Sequence, residues 1–159
     1  MFARAKNGCH NFWKKESMKN LFRVNIYDTK ASVGILIFRL VLGTALMLHG
    51  WGKIQNPMGW MGENGPPGIL QFLAAISEFG GGLSWILGLL VPLSSFGIFC
   101  TMTFAVYVHA VIKGDPFVGQ GSSFEPALIY LVSAVLLFLA GPGRYSLDRK
   151  VFGIRNQNN

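Results

Sequence analysis

The chain has 159 residues, 51% of them apolar and only 13% charged, with 13 Phe and a net charge of +7. That balance, with a positive mean hydropathy, describes a membrane protein and argues against a water-soluble or disordered one. The basic residues cluster in the terminal segments beside apolar runs, which points to a positive-inside signal and contact with anionic lipid and away from nucleic-acid binding.

Residues 1–32 carry Arg4, Lys6, Lys14, Lys15, Lys19, Arg23 and Lys30 against Glu16 and Asp28. Met18, Leu21 and Phe22 can share one helical face, with Phe12 and Trp13 at headgroup level, so the segment reads as an interfacial helix or, equally, as a disordered arm. Met18-Lys19-Asn20 resembles a translation start. A cleaved signal peptide fits poorly, because the basic region is long, the apolar run contains Arg39 and no A-x-A site follows.

Four apolar runs come next, Val33 to Trp51, Ile69 to Leu90, Leu93 to Ile112 and Phe124 to Ala140. They predict an all-α, four-helix membrane bundle over residues 33–150, followed by a polar tail over 151–159. Pro92 separates the second and third runs so closely that they must form an antiparallel hairpin. Arg144, Arg149, Lys150 and Arg155 follow the last run, while the first and third loops offer only Lys53 and Lys113. Both termini are therefore expected in the cytoplasm of a multi-pass plasma membrane protein. Ser122 and Glu125 fit S-x-x-E, a capping box for the fourth helix, with Pro126 in its first turn.

The run from Ile69 to Leu90 would span about 33 Å at the helical rise, against the ~30 Å hydrocarbon core of a bilayer, so Glu78 lies deep. An acid at that depth is expected to be paired, protonated or functional. On the first helix Arg39, Gly43, Leu46, Gly50 and Lys53 fall on one stripe with His49 at its edge; on the second, Ala74, Glu78, Gly81, Gly82, Trp85 and Gly88 do the same. Small residues mark helix interfaces in membranes, and reckoning depth from the ends of the runs pairs Arg39 with Glu78. His49, Lys53, His109 and Glu125 converge near one end of the bundle and form the candidate ligand site. Two histidines without a third ligand do not suggest a metal. The only cysteines are Cys9 and Cys100, with no CxxC, which offers neither a disulfide framework nor a metal cluster. Cys100 falls on the opposite side of its helix from His109, which argues against a Cys/His nucleophile.

The first-span Arg39, the run LHGWGK from Leu48 to Lys53, SEFGGGL from Ser77 to Leu83, the histidine His109 in the third span, and GPGRYSLD from Gly141 to Asp148 together resemble the DoxX family of small four-helix membrane proteins. The resemblance covers about residues 33–150, and Arg39, His49, Lys53, Glu78 and the Gly141 to Asp148 tail match the family pattern. It implies an accessory subunit of a quinone- or sulfur-linked redox system, since members resemble subunits of terminal quinol oxidase and thiosulfate:quinone oxidoreductase systems. On that reading a quinone is the implied cofactor, and a soluble or membrane oxidoreductase or a second copy of the chain is the implied partner. The chain lacks cysteine pairs, deep histidine pairs and a flavin fingerprint, so it is not expected to be a complete electron-transfer enzyme. A membrane scaffold and, more weakly, a small-solute carrier are the other functional classes. The residues themselves give the tail a simpler role, with Gly141 and Pro142 stopping the fourth helix and Arg144, Arg149 and Lys150 anchoring at the headgroups.

Overall fold

The computed structural model describes residues 21–25, 27–62 and 65–154. Cys9, Phe12, Trp13 and Met18, and with them most of the expected interfacial helix, lie outside that range, as does Arg155. The described residues form helices α1 (Thr29–Gln55), α2 (Gly68–Leu87), α3 (Val91–Tyr107, continued by a π-helical turn, Val108–Ile112), α4 (Glu125–Ala140) and α5 (Leu147–Phe152). Three of them are long and apolar enough to cross a membrane, and the 16-residue α4 is a shorter apolar helix. All four apolar runs are thus helical, as backbone in hydrocarbon must be.

Each helix begins and ends for a local reason. Asp28 caps α1 by accepting from Ala31 N at 3.0 Å. Gly88, at φ +65°, closes α2 in the left-handed conformation that glycine adopts freely. The hairpin turn is therefore Gly88 to Leu90, and Pro92 sits inside the first turn of α3, where a missing N–H costs nothing. The expected capping box on α4 does not form. Its N-cap is Phe124, with no side-chain cap, and Glu125 is the first helical residue; Pro126 does occupy the first turn.

α1 packs on α2, α2 on α3 and α3 on α4. Leu46, Trp85, Val91, Ile98, Met102, Tyr130, Ala134 and Leu137 form the core, while Val41, Phe96, Val132 and Leu139 face outward, as lipid-exposed residues do. Glycines set the register of the first two helices. A Cβ at Gly43 would stand 2.8 Å from Gly82 O, one at Gly82 2.6 Å from Gly43 O, and one at Gly50 2.5 Å from Phe79 N. Backbone meets backbone at these points, which is how small residues drive helix association in lipid. Gly82→Ala is expected to wedge α1 from α2 and cost about 1–3 kcal/mol, the usual penalty for overpacking. Thermal unfolding in detergent checks it, with Gly34→Ala, which meets nothing within 4 Å, as the control.

That register overturns the pairing expected for Arg39. Gly50 stands against Phe79 and Gly43 against Gly82, so Arg39 lies level with the end of α2, about 16 Å along the axis from Gly50 at 1.5 Å per residue. Arg39 and Glu78 therefore do not meet. Arg39, 1% exposed, donates through Nε to Trp85 O at 2.8 Å and through Nη2 to Ile86 O at 3.2 Å. These carbonyls belong to the last turn of α2, where helical partners run out. Its Nη1 donates to Pro142 O at 2.7 Å and Tyr145 O at 2.9 Å.

The tail after α4 completes this joint. Asp148, fully buried, accepts from Leu90 N at 2.6 Å and Val91 N at 3.0 Å, and its own N–H reaches Gly88 O at 2.8 Å. These bonds hold Leu90 at φ +54°, a conformation costly for a side chain with a Cβ. Burial pushes the Asp148 carboxyl above its ordinary value, against the pull of the Val91 and Leu90 amides and of Arg39. A folded-state value above the unfolded one contributes most stability below the unfolded value, and the contribution declines as pH rises toward the folded one. Mild acid therefore spares this joint. The sequence reading of the tail as a headgroup anchor omits this buried role for Asp148. Beyond it, Val24 pairs with Ile154, and Phe22 stacks on Phe152 at 5.1 Å, so the end of the segment before residue 33 packs on the start of the tail after residue 150.

Candidate functional site

Glu78 finds its partner toward the loop end of the bundle. Because Gly50 contacts the backbone at Glu78 and Phe79, the next turn of α1 carries Lys53 past the acid, and Lys53 Nζ lies 2.5 Å from Glu78 Oε1. The Glu78 side chain is 4% exposed and that of Lys53 26%. Lys53 also sits over the Trp60 ring, 4.5 Å from its centroid, a placement in which the ring face attracts the ammonium.

The first loop is fastened above this pair by one buried side chain. Gln71 accepts from Met61 N at 2.9 Å and donates to Pro66 O at 2.8 Å, while Trp60 Nε1 donates to Gln71 O at 3.1 Å. Gln71 lies two helical turns before Glu78, on the same face of α2. That spacing is a sequence signal for its role that a search for ionisable groups passes over.

Beneath the loop, between α2 and α3, is a cavity of about 450 Å³ whose lining includes Lys53, Trp60, Gln71, Glu78, Phe104 and His109. Leu73 and Phe104, also in the lining, are each 52% exposed on the outer surface, so the cavity opens sideways toward lipid. His109 lies in the π-helical turn, of the kind often found at functional sites. Its Nδ1 is 2.6 Å from Asp115 Oδ2. Asp115 follows the turn, and its N–H bonds back to His109 O at 2.8 Å; in sequence it reads only as part of a polar loop.

Of the four residues expected to converge, the structure brings Lys53 and His109 to this cavity. His49 instead packs edge-on against Tyr130, with centroids 5.8 Å apart, and Glu125 opens α4; neither lines the cavity. Cys100 does line it, nine residues before His109 and so about 13 Å away along the axis. Among the described residues no three His, Cys, Asp or Glu side chains are grouped to hold a metal ion.

A bundle of apolar helices, with a polar pair on the wall of a cavity between two of them, defines an integral membrane protein. The DoxX family matches residues 34–110. The inner membrane protein YqjF of Escherichia coli (strain K12) is 31% identical over 121 residues, which is 74% of this chain and 91% of that protein. The chain belongs to the DoxX family. No solved structure matches it.

Proposed function

We propose that this protein is an accessory subunit of a redox system in the inner (plasma) membrane, with both termini cytoplasmic, and that the cavity between α2 and α3 receives the headgroup of a quinone. The observation that carries this reading is the Lys53 and Glu78 pair, nearly buried on the wall of a lipid-accessible cavity. Burying such a pair seldom adds net stability, since well-packed apolar residues often serve as well or better. A cavity of this size lies in the range of about 300–1,000 Å³ typical of small-molecule sites.

The donor set favours a carbonyl oxygen over an anion. Glu78 already neutralises Lys53, so an anionic guest would meet a carboxylate as well as an ammonium, whereas a neutral carbonyl can accept from Lys53 without disturbing the pair. The Trp60 and Phe104 rings supply flat apolar walls. A bound quinone would supply two-electron chemistry, with electrons from a partner oxidoreductase. Within this chain, Lys53 orients the guest and Glu78 keeps the ammonium in place. His109 Nδ1 and Asp115 Oδ2 share a hydrogen bond between cavity and loop.

Mild extraction followed by mass spectrometry of the bound lipids tests the reading. The expected result is stoichiometric quinone in the wild type and its loss in Lys53→Met, with the helical content of both proteins unchanged. A quinone-free wild type, or a Lys53→Met protein that keeps its quinone, would overturn it.

A further inference from the structure

A second cavity lies at the other end of the bundle, among Leu87 at the end of α2 and Arg144, Tyr145, Leu147, Arg149 and Lys150 after α4; its volume is about 590 Å³. Three cations line it and no acid does. Among the described residues none of the three cations forms an ion pair; Arg149 Nη1 only donates to Arg144 O at 3.4 Å.

The wall that carries these charges is rigid. Arg144 stands on a turn whose flanking carbonyls, Pro142 O and Tyr145 O, both accept from the one Arg39 nitrogen Nη1, and Ser146 Oγ closes the turn onto Gly143 O at 2.8 Å. Ser146 then caps α5, which carries Arg149 and Lys150. The charge is thus displayed on backbone pinned to the membrane-spanning helices, which spares a ligand the cost of ordering it.

The position is equally informative. α2 ends at Leu87 and α4 at Ala140, so the cations stand where the apolar spans stop, at headgroup depth. Leu87 and Tyr145 are each 44% exposed and continue the apolar surface of α2 into the cavity. Cationic on one side and apolar on the other, such a cleft matches one molecule in both halves.

We infer that this cavity is a binding site for an anionic phospholipid, with the phosphodiester among Arg144, Arg149 and Lys150 and an acyl chain along Leu87. Neutralising one phosphate takes a single cation, so the three together favour a lipid with net negative charge over a zwitterionic one. The site is independent of the cavity between α2 and α3.

The test uses the full chain in non-ionic detergent and reads both thermal stability and lipids retained by native mass spectrometry. Phosphatidylglycerol is expected to raise Tm and stay bound, phosphatidylcholine to do neither, and the preference to fall on the order of a hundredfold in Arg144→Gln/Arg149→Gln/Lys150→Gln, as three cations near an anionic surface imply. Arg144→Lys/Arg149→Lys, which keeps the charge, is expected to keep the preference. Single glutamine variants, each expected to weaken retention several-fold, give the reading if the triple variant does not fold. Equal retention of the two lipids, an unchanged preference in the glutamine variants, or equal stabilisation by inorganic phosphate alone would overturn the assignment.

Discussion

Replacing Arg39 by methionine is expected to destabilise the bundle by about 3–5 kcal/mol, the range for removing one member of a buried charged network. The guanidinium bonds four carbonyls on two separate segments, Trp85 and Ile86 at the end of α2 and Pro142 and Tyr145 in the tail. Without it Ile86 O, Pro142 O and Tyr145 O lose this donor in a site that is 1% exposed, while Trp85 O keeps the Gly88 N–H at 3.2 Å; each buried polar group left unpaired costs about 1–3 kcal/mol. Methionine fills much of the volume, so the loss reports the polar contacts more than a cavity. Arg39→Lys is expected to recover little, because one ammonium cannot span the fork that two segments share. Gly88→Ala approaches the same joint from the other side, since its Cβ would collide with Arg39 Nη2 and the residue sits at φ +65°. Equilibrium unfolding in mixed detergent micelles measures all three. An Arg39→Met protein as stable as Lys113→Met, a change at an exposed loop position, would show that the joint does not hold the fold.

The spans were legible because hydrocarbon leaves the backbone so few options. A long apolar run must be helical, and four of them with a tight Gly-Pro-punctuated link between the second and third could hardly be anything but an antiparallel bundle. The stripe on α1 was legible too, since Arg39, Gly43, Leu46 and Gly50 are all buried; on α2 Glu78, Gly81, Gly82 and Trp85 are buried as expected, with Ala75 in place of Ala74. Register was not. Depth counted from the ends of apolar runs treated those ends as level, whereas the backbone contact at Gly43 and Gly82 slides α1 past the end of α2. A slide of that size separates Arg39 from Glu78 and delivers Lys53 instead. Glu78 could thus be recognised as needing a partner without the partner being named. Asp148 was hidden for a different reason, since its acceptors serve amides 57 and 58 residues earlier in the chain, and no local pattern records so distant a bond. Asp115 and the π-helical turn leave equally little trace, because the turn depends on how the end of α3 meets its loop.

Breaking the Lys53 and Glu78 pair from either side is the change expected to tell most about the site. Lys53→Met leaves the Glu78 carboxylate 4% exposed without its ammonium, and Glu78→Gln leaves Lys53 with only a neutral amide and the Trp60 ring. Each single change is expected to cost about 3 kcal/mol, the low end of the range for breaking a buried pair, because Lys53 keeps 26% exposure. The double variant Lys53→Met/Glu78→Leu removes both charges and is expected to return to within about 1 kcal/mol of the wild type or to exceed it, as apolar replacements of buried pairs often do. The coupling energy from that cycle isolates the pair. A parallel cycle with Arg39→Met and Glu78→Gln is expected to be additive, since Arg39 bonds other segments; strong coupling there and none between Lys53 and Glu78 would reverse the assignment. The double variant also separates folding from function. It is expected to fold as well as the wild type and to retain no quinone, because the site would have kept its volume and lost its donor. A double variant that binds quinone normally would make the pair a packing device, and would move the search for the ligand's anchor to His109 and Asp115.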